Sequence, residues 1–194
     1  MSAPERVLVR LPNWLGDVLM ARPLLFALRR AQPGTAGWCV GPEAALELLR
    51  GDGTADELLS WPADGAARRA LRERLRCWRA DLALVLPPSF SSAWQVWRAG
   101  ARRRVGYRGA ARCPLLTRAL PRPARGERHL AEEYLALGAG AGVEQVLRAA
   151  PPLRVARAGG GQGGGVLLGP GAIYGPAKRW PAERFAEVGR ALVA

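Results

Sequence analysis

The sequence predicts an α/β fold in two parts, a Rossmann-like parallel-sheet domain over residues 1–148 and the opening of a second such domain. Segments with strand patterns alternate with segments of helical periodicity throughout the first part. Residues 81–86 form a continuous apolar run closed by two prolines, which is typical of a strand buried on both faces. Because strands and helices alternate, the strands should run parallel, with helices on both faces of the sheet.

The individual elements of the first domain follow from local patterns. Residues 6–11 alternate and are rich in valine, and the helical pattern after them ends at Pro33 and Gly34, which stop helices. An arginine- and proline-rich loop is predicted from the last strand to Gly126. The predicted strands are 6–11, 36–40, 56–61, 81–86 and 104–107, and the predicted helices are 17–32, 43–50, 66–80, 91–99 and 127–137.

The composition changes abruptly at residues 149–165, which we interpret as a proline- and glycine-rich linker. Its glycine run satisfies G-x-G-x-x-G formally, but it precedes a strand instead of following one, so the dinucleotide-binding interpretation fails. A strand at 166–168 and a helix from Pro181 then begin the second domain, residues 166–194. One strand and one helix cannot bury a core, so we expect the chain to be a fragment of a longer protein.

Charge and hydropathy restrict the classes of function. Of 194 residues, 49% are hydrophobic and 23% charged, and the net charge is +13. Lys178 is the single lysine, so the arginine excess reflects either an anionic partner or a genome that favours arginine, and both remain open. Asp17 and Arg22 interrupt the most apolar stretch, residues 7–28, which argues against a membrane span or signal peptide and predicts a cytoplasmic protein.

The side chains that metals and disulfides require are sparse. Cys39, Cys77 and Cys113 lie far apart, so we predict three free and mostly buried thiols. His129 is the single histidine, has no neighbouring ligand residues and receives no role. The sequence contains no D-x-D pair, which argues against a metal-dependent sugar-nucleotide enzyme of the single-domain type. We predict neither a metal nor a cofactor.

The loop at residues 12–17 joins the first predicted strand to the first helix. Ligands of open α/β sheets bind beyond the carboxyl ends of the strands, which is where this loop lies. Gly16 would permit a tight turn or close approach to a ligand. Asp17 is expected at the helix N-terminus, where it is either an N-cap or a catalytic carboxylate.

Two further segments could bind anions. Residues 169–181 follow the strand of the second domain, and Lys178 and Arg179 precede a helix there, an arrangement that suits a diphosphate or is only a solvated turn. The second segment is a basic run that could hold phosphate or carboxylate groups, although such runs are usually solvated surface. Its members are Arg102, Arg103, Arg104, Arg108, Arg112, Arg118, Arg122, Arg125 and Arg128.

Three stretches together resemble the ADP-heptose:lipopolysaccharide heptosyltransferases, glycosyltransferase family 9, and within it the heptosyltransferase II members most nearly. They are residues 11–20 (L-P-N-W-L-G-D-V-L-M), residues 85–116 around P-P-S-F-S-S-A-W and V-G-Y-R-G, and residues 169–181, ending G-P-A-K-R-W-P. They occur in the family's order and span almost the whole chain. The resemblance implies a two-domain GT-B fold, truncated here after the start of the donor-binding domain.

The resemblance also implies a mechanism and a set of site residues. Asp17 matches the family's catalytic base, in a metal-independent, inverting transfer of heptose from ADP-heptose to the anionic inner core of lipopolysaccharide. Peripheral contact with the inner-membrane surface and no nucleic-acid partner are implied as well, and the fragment alone should be inactive. The resemblance assigns donor binding to Gly16, Gly171, Ala172, Tyr174, Lys178 and Arg179, and acceptor binding to Asn13, Trp14, Ser89, Arg104 and Arg108.

Two departures from the family pattern and two other functions stay open. Ile173 stands where these enzymes commonly have glutamate, and Pro88 replaces an expected asparagine. The chain could be a related glycosyltransferase that uses another sugar nucleotide, or a non-catalytic basic module that binds RNA or anionic lipid. A single-strand platform needs interleaved exposed aromatic side chains, and we expect none here, since the tryptophans mostly fall in helical or strand patterns.

Overall fold

The computed structural model describes residues 4–143, 150–153, 168–169, 171 and 179–193. The chain divides into two compact units, Met1–Val155 and Ala156–Ala194. The predicted linker crosses this division, and the domain limits at residues 148 and 165 remain predictions.

A parallel sheet of six strands forms the centre of the first unit. The strands are β1 (Arg6–Arg10), β2 (Ala36–Gly41), β3 (Glu57–Ser60), β4 (Leu82–Val85), β5 (Arg103–Tyr107) and β6 (Arg118–Leu120). Their order across the sheet is β3-β2-β1-β4-β5-β6, and every neighbouring pair is parallel. At the middle of the sheet, Val9 of β1 is level with Cys39 of β2 and Leu84 of β4.

Helices cover both faces of this sheet. They are α1 (Leu15–Ala31), α2 (Glu43–Glu47), α3 (Gly65–Trp78), α4 (Phe90–Arg98) and α5 (Leu130–Gly140), with a 3-10 turn at Cys113–Leu115 between β5 and β6. The described part of the second unit contains one helix, α6 (Ala182–Val193). No helix among the described residues is long and apolar enough to cross a bilayer.

Alternation along β1 creates two separate apolar cores. Val7 and Val9 face the core beneath α1 and α5, whereas Leu8 faces the core beneath α3 and α4. Helices α1 and α5 approach closely at Gly138, where a Cβ atom would lie 2.6 Å from Cδ1 of Leu24. The bare backbone at Gly138 therefore allows this helix contact.

Most of the predicted elements are confirmed, with ends displaced by no more than one helical turn. The prediction missed β6 and the 3-10 turn, which lie in the segment expected to be an irregular loop. Strand β6 has three residues, begins with the exposed Arg118 and pairs only with β5, so it lacks an apolar run. The strand predicted at 166–168 lies outside the described residues, apart from Leu168, which belongs to no regular element.

The cysteine prediction is correct for bonding and wrong for burial. All three thiols are free, but only Cys39 is buried. Cys77 lies on the outer face of α3 and Cys113 begins the 3-10 turn, and both are exposed. Burial raises the pKa of the Cys39 thiol to about 12, so this thiol stays protonated at neutral pH.

A buried ion pair anchors α1 to the loop after α2. Arg22 contacts both carboxylate oxygens of Asp52, at 2.7 and 2.9 Å, and the two side chains are 7% and 4% exposed. Arg22 also donates to the carbonyl oxygen of Pro151 at 2.9 Å. One side chain therefore ties α1 to two other segments.

We predict that Asp52→Ala lowers the free energy of unfolding by about 3–5 kcal/mol, because it leaves a buried guanidinium without its counter-charge. Glu47→Ala is the matched control, since Glu47 pairs with Arg50 at 2.7 Å on the exposed surface and should give no measurable loss. Urea unfolding followed by circular dichroism measures both variants. Equal stabilities for the two variants would contradict the assignment of Arg22–Asp52 as an anchor.

Candidate active site

The order of the strands creates a crevice between β1 and β4. From β1 the chain proceeds outward through β2 and β3, and it then crosses to β4 and proceeds the other way through β5 and β6. The loops that leave β1 and β4 therefore diverge at the carboxyl edge, which is where ligands of open α/β sheets bind. The loop at residues 11–14 leads into α1, and the loop at residues 86–89 leads into α4.

Arg10, the last residue of β1, holds the first of these loops. Its side chain is buried, and Nη2 donates to Oδ1 of Asn13 at 3.0 Å while Nη1 donates to the carbonyl oxygen of Leu11. Nε donates to Oε1 of Gln95 on α4 at 2.9 Å. Burial lowers the pKa of Arg10 to about 10, which leaves it a cation at neutral pH. Among the described residues no carboxylate pairs with it.

Asp17 lies in the first turn of α1 and does not cap it. The N-cap is Trp14, whose side chain makes no capping hydrogen bond, so the N-cap interpretation of Asp17 is wrong. The Asp17 carboxylate is half-buried and makes no hydrogen bond or ion pair with any described residue. Burial raises the pKa of Asp17, and the carboxylate in turn adds to the effect of burial in raising the pKa of Tyr134 on α5.

The residues that precede Asp17 along the chain are exposed at the surface. A Cβ atom at Gly16 would meet no atom within 4 Å, and Gly16 lies inside α1 without a positive φ. The expected tight turn at Gly16 is therefore absent, whereas open space beside the backbone is present. The Trp14 side chain is 56% exposed at the same edge. Asn13 is also exposed, with its amide oxygen held by Arg10.

Ser89 shapes the second loop by capping α4. Its Oγ accepts from the Ser92 amide at 3.3 Å, and the Ser92 hydroxyl lies within hydrogen-bond distance of two carbonyl oxygens, 3.2 Å from Pro87 and 2.8 Å from Ser89. Ser89 itself is exposed. The family resemblance implied that Ser89 binds the acceptor, and the structure brings Ser89 to the same edge as Asn13.

A second buried arginine ties the ends of β4 and β5 together. Arg112 has no exposed surface, its Nε donates to the carbonyl oxygen of Tyr107 at 2.7 Å, and its Nη1 donates to that of Pro87. Its Nη2 is buried without a hydrogen-bond partner in the described structure. Burial, and secondarily the nearby Arg122, lower the pKa of Arg112.

The two other predicted acceptor arginines lie at different ends of β5. Arg108 follows the strand at the carboxyl edge, is exposed, and donates to the carbonyl oxygen of Ala119 at 3.1 Å. Arg104 is level with Ala83 in the amino-terminal half of the sheet, and its guanidinium donates to carbonyl oxygens nearby, including that of Leu115 at 2.7 Å. The structure therefore does not bring Arg104 to the edge that holds Asp17.

An open groove of about 380 Å³ lies beside the carboxyl ends of β5 and β6. Tyr107, Leu120, Arg122 and Arg128 contribute to its lining. Arg122 is 3.6 Å from the carboxylate of Glu133, while Arg128 forms no ion pair among the described residues. The groove adds positive charge to the carboxyl edge.

The predicted donor residues of the second unit are only partly described. Gly171 and Arg179 are both exposed, and nothing lies within 4 Å of a Cβ atom built at Gly171. Ala172, Tyr174 and Lys178 lie outside the described residues. Their roles in donor binding remain predictions.

Sequence patterns missed the supporting residues Arg10 and Gln95 and the burial of Arg112. In the sequence, Arg10 occupies a polar position of an alternating strand pattern, and Arg112 is one of a run of arginines expected to be solvated. An arginine at the last position of a strand that leads into a ligand-binding loop is the one signal that could have identified Arg10. No group of His, Cys, Asp and Glu residues in the described part of the chain could hold a metal ion.

We predict that Arg10→Met raises hydrogen exchange of the amides at residues 11–18 about tenfold or more, because the loop loses a charged hydrogen bond to Asn13. The matched control is Arg6→Met at the other end of β1, where Arg6 donates to the carbonyl oxygen of Trp78 at 2.9 Å. Mass spectrometry of exchanged peptides measures both. Unchanged exchange at residues 11–18 would show that Arg10 does not hold this loop.

Comparisons with known proteins agree with the resemblance drawn from the three sequence stretches. The family model for glycosyltransferase family 9 (heptosyltransferase) matches residues 68–194. Lipopolysaccharide heptosyltransferase 2 of Salmonella typhimurium is 31% identical over 209 residues, a match that covers 97% of this chain and 60% of that protein. The chain thus spans 60% of the length of this curated relative.

Two solved structures have the same fold. The glycosyl transferase family 9 protein of Veillonella parvula DSM 2008 matches with a TM-score of 0.76 at 24% identity, covering 97% of this chain and 59% of that one. The E. coli ADP-heptose lps heptosyltransferase II matches with a TM-score of 0.75 at 28% identity, covering 97% and 61%. The predicted fold class, an α/β protein of GT-B type, is confirmed for the part that the chain spans. The chain belongs to glycosyltransferase family 9, the heptosyltransferase family.

Proposed function

We propose that this chain provides the acceptor-binding domain, residues 1–148, and the start of the donor-binding domain, residues 166–194, of a lipopolysaccharide heptosyltransferase. Residues 149–165 would link the two. The observation that carries the proposal is Asp17, a partly desolvated carboxylate at the β1/β4 crevice that no described residue neutralises. The names of the relatives support ADP-heptose as donor and lipopolysaccharide as acceptor.

In the proposed reaction, Asp17 takes the proton from an acceptor heptose hydroxyl. The hydroxyl oxygen then attacks the anomeric carbon of the donor, and the bond from that carbon to the diphosphate oxygen breaks with inversion. ADP leaves with the bonding electrons, and Lys178 and Arg179 would stabilise its charge. The reaction needs no metal in this scheme.

The surroundings of Asp17 suit a general base. Partial burial raises the pKa of Asp17 above that of an ordinary aspartate. The ionised carboxylate is therefore a stronger base. The partial positive charge at the N-terminus of α1 has the opposite tendency, because it favours the ionised carboxylate. Gly16, Asn13 and Trp14 stand beside the carboxylate along the chain, and we propose that they contact donor and acceptor.

The charge at the carboxyl edge suits an anionic acceptor. Arg10 and Arg112 are buried cations without carboxylate partners in the described structure, and Arg108 and Arg128 are exposed at or beside the same edge. Positive potential of this kind attracts phosphate and carboxylate groups. Since the proposed acceptor is carried by a lipid, we propose that the enzyme acts at the cytoplasmic face of the inner membrane, with Ser89 and Arg108 among the acceptor contacts.

We predict that Asp17→Asn lowers the rate of heptose transfer by about 10²–10⁴-fold, because it removes the base and keeps the shape of the side chain. The matched control is Asp64→Asn, since Asp64 only caps α3, with its carboxylate 2.7 Å from the Ala67 amide, and asparagine caps equally well. Transfer from ADP-heptose to a core acceptor that bears the first heptose is followed in both variants. Equal loss in the two would remove Asp17 from the mechanism.

The assay compares the 194-residue chain with the same chain joined to the unmatched remainder of the Salmonella relative. We expect transfer only from the joined protein, because the 194 residues span 60% of that relative and would lack part of the donor site. Transfer by the 194 residues alone would overturn that expectation. Asp17-dependent transfer of a different sugar would keep the mechanism and replace heptose as the substrate.

The same assay has a predicted pH dependence. Asp17 acts as a base only when it is ionised, and burial raises its pKa. Activity should therefore be lost as the pH falls through a value above the ordinary range of aspartate. An acidic limb of kcat/KM at or below that range would argue against a desolvated Asp17 as the base.

A further inference from the structure

Helix α4 presents a row of aromatic rings to solvent. Phe90, Trp94 and Trp97 are 45%, 42% and 41% exposed. The ring centroids of Phe90 and Trp94 are 6.1 Å apart, and those of Trp94 and Trp97 are 4.9 Å apart. The inward-facing side of α4 packs Ala93 and Val96 into the core beneath it. The three rings form one continuous surface, which we call the aromatic row.

The aromatic row contradicts our expectation that the chain lacks exposed aromatic side chains next to one another. Burial of an aromatic ring away from water contributes favourable free energy to folding. Three neighbouring exposed rings leave much of that free energy unused. Contiguous apolar surface of this kind on a soluble domain marks a contact surface. Something other than the core of this unit is therefore expected to cover it.

Arginines lie at and beyond the carboxyl-terminal end of α4. The Arg98 guanidinium carbon lies 5.8 Å from the ring centroid of Trp94. The side chain of Arg76, on the neighbouring helix α3, lies 3.8 Å from the Cβ position of Gly100, just beyond α4. Arg76, Arg98 and Arg102 are exposed, and none of them forms an ion pair within the described residues. Aromatic rings and unneutralised positive charge thus occur side by side.

We propose that the aromatic row and these three arginines bind the surface of a bilayer that contains anionic phospholipid. Tryptophan rings favour the boundary between headgroups and acyl chains, and arginine side chains reach from that depth to lipid phosphates. Each basic residue near an anionic surface adds to the attraction. The inference rests on the proposed function for its lipid-linked acceptor. It deepens that function, because α4 begins beside Ser89, at the same edge as Asp17.

Two other occupants fit the surface less well. Single-stranded RNA binds by stacking bases on free ring faces, whereas these three rings lie against one another and partly occupy those faces. A second copy of the chain in a symmetric contact would present the same surface, with three arginines and no carboxylate among the residues that define it. Like charges in such a contact are unfavourable.

The test measures how deeply the tryptophans enter vesicles of equal parts phosphatidylglycerol and phosphatidylcholine with brominated acyl chains. A chain with a net charge of +13 will adsorb to anionic vesicles through many arginines, so depth is the informative readout. Bromine quenches tryptophan fluorescence only at close range. We expect strong quenching for the unaltered chain, and none with vesicles of phosphatidylcholine alone.

The double variant Trp94→Ala with Trp97→Ala should lose most of the quenching and weaken vesicle binding about tenfold or more. Trp180→Ala is the matched control, since Trp180 is 51% exposed and lies outside the aromatic row, and it should bind as the unaltered chain does. The double variant Arg98→Gln with Arg102→Gln should bind the vesicles more weakly. The fraction that still binds should show the same quenching by brominated acyl chains as the unaltered chain. Circular dichroism establishes that each variant is folded.

Binding and quenching that survive in the tryptophan double variant would overturn the proposal. The proposal would also be overturned if the tryptophan double variant bound vesicles normally and lost only self-association, measured by sedimentation. Loss of binding to an oligouridylate as the only defect would overturn it as well. The measurement uses neither donor nor acceptor sugar. Failure of heptose transfer therefore leaves this inference standing, and failure of vesicle binding leaves the assignment of Asp17 standing.

Discussion

The parallel arrangement of all six strands is the constraint on which the rest of the structure depends. Each strand must return over a face of the sheet before the next begins, so every loop that leaves a strand emerges at the carboxyl edge. The outward path from β1 to β3 and the reversed path from β4 to β6 then open a crevice between β1 and β4. Asn13, Asp17 and Ser89 lie in or after loops at this edge because of the connectivity.

Two buried arginines stabilise this edge in an unusual way. Arg10 and Arg112 donate chiefly to backbone carbonyl and side-chain amide oxygens, so the bonds hold the loops without cancelling the positive charge. A buried cation without a counter-charge costs free energy, which the hydrogen bonds partly offset. The result is a carboxyl edge whose two loops are held by buried cations, and the Asp17 carboxylate in the helix that follows the first loop is bound by no described residue. That combination suits a base that works on an anionic substrate.

Local periodicity was sufficient to predict most of the elements, because strands β1 and β4 and helices α1 and α3 have strong apolar patterns. It was insufficient at β6, where three residues at a sheet edge have no pattern to detect. On α4 the aromatic residues recur at helical spacing and suggest an inner face, yet Ala93 and Val96 pack inward and the rings lie outside. Composition identifies an apolar stripe, but the close packing of a helix on a sheet decides which stripe is buried.

The site was predictable where a residue's place depends on a strand end and unpredictable where it depends on distant partners. Asp17 and Ser89 follow predicted strands directly, so their position at the edge could be anticipated. The burial of Arg112 and the orientation of Arg104 depend on hydrogen bonds to carbonyl groups 25 and 11 residues away along the chain. No local pattern contains that information.

The most direct test of the account is a backbone NMR titration of the chain with a phosphorylated core oligosaccharide that ends in heptose. We expect the shift changes to cluster at residues 12–17 and 86–91, the two loops of the β1/β4 crevice. Asp17→Asn should retain those shift changes, because the substitution removes the base and not the binding surface. Shift changes confined to the amino-terminal ends of the strands, or absent from both loops, would contradict the placement of the acceptor site.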